Sequence, residues 1–224
     1  MKWTKQCIFC HSNVYTLSEN ALKCRKCKKK YAKNKTNKTL LLLELFLENK
    51  SALEVAKLNG FSYASVHSYY DDFRKLCAMI CEREYEHIRH KESEYEEYFY
   101  LEKSKRYKKE AVFDAKNFLT FDYDGHIYTI LLPNLNKFKT QFIEDELTPT
   151  YLQEFKRFKR QTRLIKISSR HNNIVAFWEF FEKFILHYKG IKQEQFGLFL
   201  KECEFKFNHS KDEAFTLLQK EYFL

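Results

Sequence analysis

Residues 7–31 read CIFCHSNVYTLSENALKCRKCKKKY, and this stretch decides how the beginning of the chain folds. Cys7 and Cys10 form one C-x2-C pair, and Cys24 and Cys27 form a second pair. Each pair can wrap its backbone around one side of a metal ion, and the intervening residues can form a hairpin that brings the pairs together. The spacing therefore predicts a structural zinc site with four thiolate ligands and no open position. An iron–sulfur or redox role is the alternative.

The same end of the chain carries all of the net charge. The protein has a formal net charge of +10, and residues 1–38 hold eleven of its 40 basic residues but one of its 30 acidic residues, Glu19. The rest of the chain is therefore neutral. A basic end on a neutral body favours a polyanionic partner, because neutralised phosphates release their counterions. A lysine-rich end that serves solubility alone is the alternative interpretation.

Composition limits the other classes of protein. With 224 residues, 44% hydrophobic content, 4 Gly and 2 Pro, the chain can bury a core and lacks the residues of long flexible linkers. Its longest apolar run, LLLLELFL at 40–47, is interrupted by Glu44 and is far shorter than a membrane span. The start of the chain lacks the apolar core of a signal peptide. We expect a cytoplasmic protein with no membrane contact, whose seven cysteines are metal ligands or buried thiols.

A helix-turn-helix is predicted after a basic linker, KNKTNK at 33–38. Ser51 and Glu54 form a capping box for a short helix, Gly60 can take a positive φ in the turn, and Ser62 can cap the next helix. In such a motif the second helix enters the major groove of DNA with its N-terminal side chains. Those side chains are Ser62, Tyr63, Ser65, His67 and Ser68. An ordinary helical hairpin is the alternative.

The C-terminal half alternates strand and helix patterns. Strands are predicted in EYEEYFY, in the stretch around NFLTFDY and in HIYTILLPN, with YDGH as a hairpin turn. A helix around TYLQEFKRFKR, a strand RLIKIS and two helices, NIVAFWEFFEKFILHY and EQFGLFLKECEFKF, follow. This order suggests a shortened α/β domain of the ribonuclease H kind. The fold class is α+β and multidomain, with a zinc ribbon at 1–35, a helix-turn-helix domain at 36–90 and the ribonuclease-H-like domain at 91–224.

The chain resembles the DDE transposases of bacterial insertion sequences, in the group with a zinc ribbon and helix-turn-helix before a ribonuclease-H-like domain. The likeness is carried by AVFDAKNFLTFDYDGHIYTILLPN, by NNIVAFW and above all by HYKGIKQEQFGLFLKECEFKFN. The resemblance implies two metal ions, usually magnesium, held by three carboxylates. It also implies a double-stranded DNA partner, gripped through phosphates by Lys26, Lys28, Lys29 and Lys30, and a homo-oligomer on that DNA.

The three carboxylates of this resemblance are incomplete in the sequence. Glu96 stands at the first position, where the family has Asp, and Asp145 is the nearest candidate for the second. The third position is occupied by Val175, which cannot coordinate a hard cation. Glu179, one helical turn later, is a possible substitute, and an exposed or ion-paired surface role is its alternative.

These observations leave three hypotheses for function. The first is a transposase-like protein that recognises the ends of an insertion sequence while its strand-transfer chemistry is impaired. The second is an active, magnesium-dependent transposase with a divergent triad of Glu96, Asp145 and Glu179. The third is a host-adopted regulator or interaction module, in which the aromatic helix around Phe177 and Trp178 buries a partner instead of forming core.

Overall fold

A computed structural model describes residues 6–102, 111–133, 172–188 and 190–223 of the chain. The fold mixes helices with two three-stranded sheets. Contacts divide the chain into two compact units, one formed by Met1–His87 with Phe180–Leu224 and the other by Ile88–Glu179. Among the described residues, no helix is both long and apolar enough to cross a bilayer.

The first unit begins with an antiparallel sheet of short strands. Its strands β1 (Val14–Ser18), β2 (Ala21–Cys24) and β3 (Lys30–Ala32) lie in chain order. On β2, Leu22 and Cys24 are buried, whereas Ala21 and Lys23 are half-buried. Because side chains alternate between the faces of a strand, one face of this sheet is packed and the other is open.

Helix α1 (Lys33–Leu47) begins earlier than the sequence indicated. The stretch KNKTNK at 33–38, which we interpreted as a linker, forms its first turns, so that interpretation was wrong. The reason is a cap supplied from a distance: the backbone carbonyl of Asn20 accepts a hydrogen bond from Lys33, and its side-chain oxygen accepts one from Asn34 at 2.8 Å. The turn between β1 and β2 thereby satisfies the N–H groups at the start of α1.

The next two helices follow the predicted capping pattern. Helix α2 (Ala52–Asn59) starts with Ser51 Oγ accepting from the backbone N–H of Glu54 and ends at Gly60, whose φ is 68°. Ser62 Oγ then accepts from the N–H of Ser65, and helix α3 runs over Tyr63–Ile88. The predicted caps and the left-handed glycine are confirmed. Tyr70, Phe73, Cys77 and Cys81 of α3 are buried, as expected for core side chains.

The second unit is built on the other sheet. Its strands are β4 (Glu94–Tyr100), β5 (Lys116–Tyr123) and β6 (His126–Leu131), antiparallel and in chain order, with a short 3-10 helix at Ala111–Asp114 before β5. The predicted hairpin turn is confirmed, since Asp124 and Gly125 both have positive φ, at 55° and 93°. This is the combination that a two-residue turn between twisted strands requires.

Helix α4 (Asn173–Ile185) supplies residues to both units. In the second unit, Trp178 Nε1 donates to Thr120 Oγ1 at 2.9 Å, and its ring lies 4.8 Å from that of Tyr98. Phe177 and Phe181 are fully buried. These aromatic side chains of α4 are therefore core. The predicted elements TYLQEFKRFKR and RLIKIS lie outside the described residues.

The chain ends in two helices that pack into the first unit. Helix α5 (Phe196–Asn208) follows a 3-10 turn at Gln193–Gln195, and helix α6 spans Lys211–Phe223. One apolar core contains Phe46 of α1, Phe73 of α3, Phe205 of α5 and Leu218 of α6. Helix α6 had not been predicted, although Ser210 and Glu213 form a reciprocal capping box at its start. The domain boundaries 1–35, 36–90 and 91–224 stay a prediction. The compact units are divided differently, because Phe180–Leu224 belongs to the first unit.

A buried carboxylate joins α5 to α3. Glu202 is fully buried and accepts from Arg74 Nε at 2.7 Å, from Lys206 Nζ at 2.5 Å and from the Tyr188 hydroxyl at 3.0 Å. Lys206 also donates to the carbonyl of Phe46 at 2.6 Å. Two cations and a hydroxyl thus satisfy one carboxylate, which offsets the cost of taking it out of water.

Replacement of Glu202 by Gln should destabilise the protein strongly. The change preserves shape but leaves Lys206 buried without an anion and leaves Arg74 with Asp71 as its remaining partner. Removing one partner of a buried pair costs about 3–5 kcal/mol. Urea denaturation measures the loss. Lys50→Gln, in a pair with Glu54 whose side chains are each 44% exposed, is the control and should change stability by less than about 1 kcal/mol. Equal effects of the two changes would contradict this account of Glu202.

Candidate functional site

The four cysteines of the N-terminal motif converge. Their Sγ atoms all lie within 4.8 Å of one another, with Cys7 and Cys27 3.6 Å apart and Cys10 and Cys24 3.4 Å apart. Among the described residues, no other group of three or more Cys, His, Asp or Glu side chains comes together in this way. Tetrahedral zinc with Zn–S bonds of about 2.3 Å needs sulfur atoms about 3.8 Å apart. The spacing therefore fits a metal such as zinc.

The two cysteine pairs have the same backbone turn. The N–H of Cys7 donates to the carbonyl of Ser12, and the N–H of Cys24 donates to the carbonyl of Lys29, five residues further along in both cases. The residue after each pair has a positive φ, 54° at His11 and 62° at Lys28. The two halves of the cluster are thus near copies in conformation. His11 is exposed and stands outside the group of sulfur atoms.

Hydrogen bonds to sulfur prepare the cluster for thiolate ligands. The backbone N–H groups of Lys26 and Cys27 point at Cys24 Sγ, and that of Phe9 points at Cys7 Sγ. Bonds from Ser12 lower the pKa of Cys10 to about 6, whereas burial raises the pKa of Cys7 to about 12. A divalent cation would favour the thiolate at all four positions. The ion would crosslink the two turns, and this closed sulfur set leaves no ligand position for chemistry.

Cysteines outside the cluster belong to the core. Cys77, Cys81 and Cys203 are buried, and burial raises the pKa of each thiol. These three side chains are apolar packing residues with no neighbouring ligand set among the described residues.

The basic side chains around the cluster face solvent. Lys26, Lys28, Lys29 and Lys30 are all exposed. Lys29 Nζ also lies 4.0 Å from the centre of the Phe9 ring, so this ammonium is held against the surface next to the cysteines. The structure thus presents a dense positive surface beside the four sulfur atoms.

The first turns of α3 form the second candidate surface. Ser62, Tyr63 and Ser68 are exposed, and Tyr63 retains 51% of its accessible surface. His67 is half-buried and its Nδ1 lies 3.1 Å from Asp71. Ser65 Oγ accepts a hydrogen bond of 2.9 Å from Lys38 on α1. The five residues singled out in the sequence therefore lie together at one end of α3, and Lys38 joins them there.

Acidic side chains follow the first two turns of α3. A shallow depression on this helix is lined by Tyr63, Ala64, His67, Ser68, Asp71, Asp72 and Lys75. Asp71 accepts from Arg74 and lies 3.1 Å from His67. Asp72 lies 3.8 Å from Lys75. Both carboxylates therefore have cationic neighbours on α3.

The predicted carboxylates do not form a described cluster. Glu96 lies on β4 opposite Thr120 and is exposed, while Val175 and Glu179 on α4 are half-buried. Asp145 lies outside the described residues. Since Thr120 contacts Trp178, Glu96 and α4 lie on the same face of the sheet. The roles of Glu96, Asp145 and Glu179 stay predictions.

Sequence reasoning missed one contact that holds α4 on this sheet and one that caps the helix. Asn173 Nδ2 donates to Asp122 Oδ1 at 3.2 Å, and Asn172 Oδ1 accepts from the N–H of Val175 at 2.9 Å. The Asn172–Asn173 pair before an apolar run was the available signal, since Asn is a favoured helix cap. The cap places position 175 in the first turn of α4, and its Val side chain offers no oxygen there.

Comparison with known proteins gives one informative likeness. The chain is 26% identical over 102 residues to a protein of Haemophilus influenzae described as an uncharacterized transposase-like protein, covering 38% of this chain and 83% of that protein. No family model matches the chain, and no solved structure matches it significantly. The chain is thus similar in part to a transposase-like protein.

We expect Cys24→Ser to abolish metal binding. The substitution removes a fully buried ligand at the centre of the cluster, so the metal content of the purified protein should fall from about one zinc per chain to near zero. Elemental analysis measures the content, and cobalt substitution should give thiolate charge-transfer bands in the wild type. Cys77→Ala, a buried thiol outside the cluster, should retain the metal. Wild-type protein without metal, or an equal content in both variants, would refute the site.

Proposed function

We propose that this protein is a transposase-like DNA-binding protein of an insertion sequence, which recognises the ends of the element while its own strand-transfer chemistry is impaired. The observation that carries the proposal is the exposed start of α3, which follows a capped helix and a glycine turn in a positively charged unit. The partial similarity to a transposase-like protein supports it. In this proposal, residues around the cysteine cluster form a zinc ribbon and α2–α3 form a helix-turn-helix.

The duplex would be bound by two kinds of contact. Lys26, Lys28, Lys29 and Lys30 would contact phosphates, which supply affinity without reading sequence. Ser62, Tyr63, Ser65, His67 and Ser68 would face base edges in the major groove. Lys38 holds the Ser65 oxygen, so the Ser65 hydroxyl retains its proton for a base acceptor. Zinc would hold the two cysteine turns together, and a homo-oligomer on DNA in the cytoplasm belongs to the same proposal.

Impaired chemistry follows in this proposal from position 175. A two-metal mechanism needs oxygen ligands that hold both the attacking and the leaving oxygen, and Val175 offers none. The sheet and α4 would then form a ribonuclease-H-like scaffold. The Asn172 cap and the Trp178–Thr120 hydrogen bond can maintain that scaffold without any catalytic carboxylate.

A sequence preference that depends on α3 tests the binding proposal. Selection from random duplexes with the zinc-loaded full chain should yield a preferred site. Ser68→Ala should then weaken binding to that site by about fivefold to 100-fold and weaken scrambled duplex less, as measured by fluorescence anisotropy. Ser93→Ala, an exposed serine in the second unit, is the matched control. Failure to select any site, or equal losses in both variants, would count against a reading role for α3.

The selected duplex also tests the proposed loss of chemistry. With magnesium or manganese, the wild type should leave the strands intact, because Val175 cannot bind the cation. Sequencing gels of end-labelled duplex detect nicking. Nicking that disappears in Glu96→Gln would instead establish the second candidate function, an active transposase with a divergent triad of Glu96, Asp145 and Glu179.

A further inference from the structure

The open face of the N-terminal sheet carries a row of three side chains. Tyr15 on β1 pairs with Lys23 on β2, and Lys23 pairs with Lys30 on β3. Directly paired residues of antiparallel strands project on the same face, with neighbouring Cβ atoms about 5 Å apart. The opposite face holds Leu22 and Cys24, which are buried. One aromatic ring and two ammonium groups therefore share the side of the sheet that the core does not use.

Small residues in the next row leave space beside Tyr15. Ala21 of β2 pairs with Ser18 of β1 and with Ala32 of β3 on the same open face. Neither alanine extends beyond Cβ, so the row next to Tyr15 carries no bulky side chain. Tyr15 is 37% exposed, and the neighbouring Leu17 is 47% exposed. The row can therefore be reached by a flat ligand that lies against the sheet.

The charge of this surface points to an anionic ligand. Lys23 and Lys30 form no ion pair with a carboxylate of the described chain, and the whole of residues 1–38 contains one acidic residue, Glu19. Exposed lysines continue from Lys26 to Lys29 next to the row. A polyanion that follows the row from β1 to β3 would meet the charges of Lys23 and Lys30 without an intervening carboxylate.

We propose that this face binds an unpaired strand of nucleic acid, with a base stacked on Tyr15 and the adjoining phosphates on Lys23 and Lys30. An open sheet with an accessible ring suits unpaired bases, whose faces are free, whereas the bases of a duplex present only their edges. A duplex is read by an element that enters a groove, and this flat face has none. The proposal goes beyond duplex recognition by α3, since it adds a second ligand on the open face of the sheet, and Lys30 is the one residue that both proposals use.

Binding of a fluorescein-labelled thymidine oligomer of about 12 nucleotides tests the proposal. The probe is titrated with the zinc-loaded full chain and followed by fluorescence anisotropy. Tyr15→Ala should weaken oligomer binding about tenfold or more, whereas Tyr15→Phe, which keeps the ring, should bind as the wild type does. Changing Lys23 and Lys30 to Gln should weaken binding and reduce its salt dependence. Tyr95→Ala, at a tyrosine 65% exposed in the second unit, is the control and should have no effect.

Four outcomes would overturn the proposal. Absence of oligomer binding by the wild type, or unchanged binding by Tyr15→Ala, removes the site. Equal losses for the thymidine oligomer and for duplex in Tyr15→Ala would show a surface that does not distinguish unpaired strands. A loss in Tyr15→Phe as large as in Tyr15→Ala would exclude stacking. Duplex binding that fails in Ser68→Ala but persists in Tyr15→Ala separates the function of α3 from that of this face, so either can fail alone. Retained zinc in every variant shows that the sheet is folded.

Discussion

The arrangement of the first unit depends on a carboxylate held out of water. Glu202 on α5 is satisfied by Arg74 from α3 and by Lys206, whose ammonium also reaches the end of α1 through the Phe46 carbonyl. An ion pair of this kind adds little net stability compared with apolar side chains, but it is costly to break, and it fixes which groups must meet. Residues more than a hundred positions apart in the chain therefore depend on one another for their hydrogen-bond and charge partners. The C-terminal helices pack against α3 and hold in place the helix start that carries Ser62 to Ser68.

The cysteine cluster imposes a second, local constraint. The strands of the N-terminal sheet are short, and the face opposite the core is open, so apolar burial stabilises them little. Four sulfur atoms within 4.8 Å of one another can bind one ion, and that ion would hold the two cysteine turns of this sheet together. Asn20, in the turn between β1 and β2, caps α1, so the position of the sheet determines where α1 begins. A metal site with no open coordination position can in this way orient the lysines of the surface without taking part in any reaction.

Sequence patterns predicted the local structure better than the long-range packing. The caps at Ser51 and Ser62, the left-handed Gly60, the Asp124–Gly125 turn and the convergence of four cysteines all depend on residues close in sequence or on fixed spacing, and all are confirmed. The start of α1 was predicted wrongly because its cap comes from Asn20, in another element. Helix α6 was missed despite its capping box. The pairing of Arg74 with Glu202 could not be predicted, because no local rule connects them. The carboxylate roles rest on a resemblance, from which this sequence departs at Glu96 and most clearly at Val175.

In our proposal, the first turns of α3 meet duplex DNA, and Val175 offers no oxygen ligand to a catalytic metal ion. Hydrogen–deuterium exchange of the zinc-loaded full chain, with and without the selected duplex, tests it most directly. We expect the duplex to slow amide exchange around Ser62 to Ser68 and around the lysines at 26–30, and to leave β4–β6 unchanged. Protection confined to β4–β6 and α4, with α3 unaffected, would contradict the account.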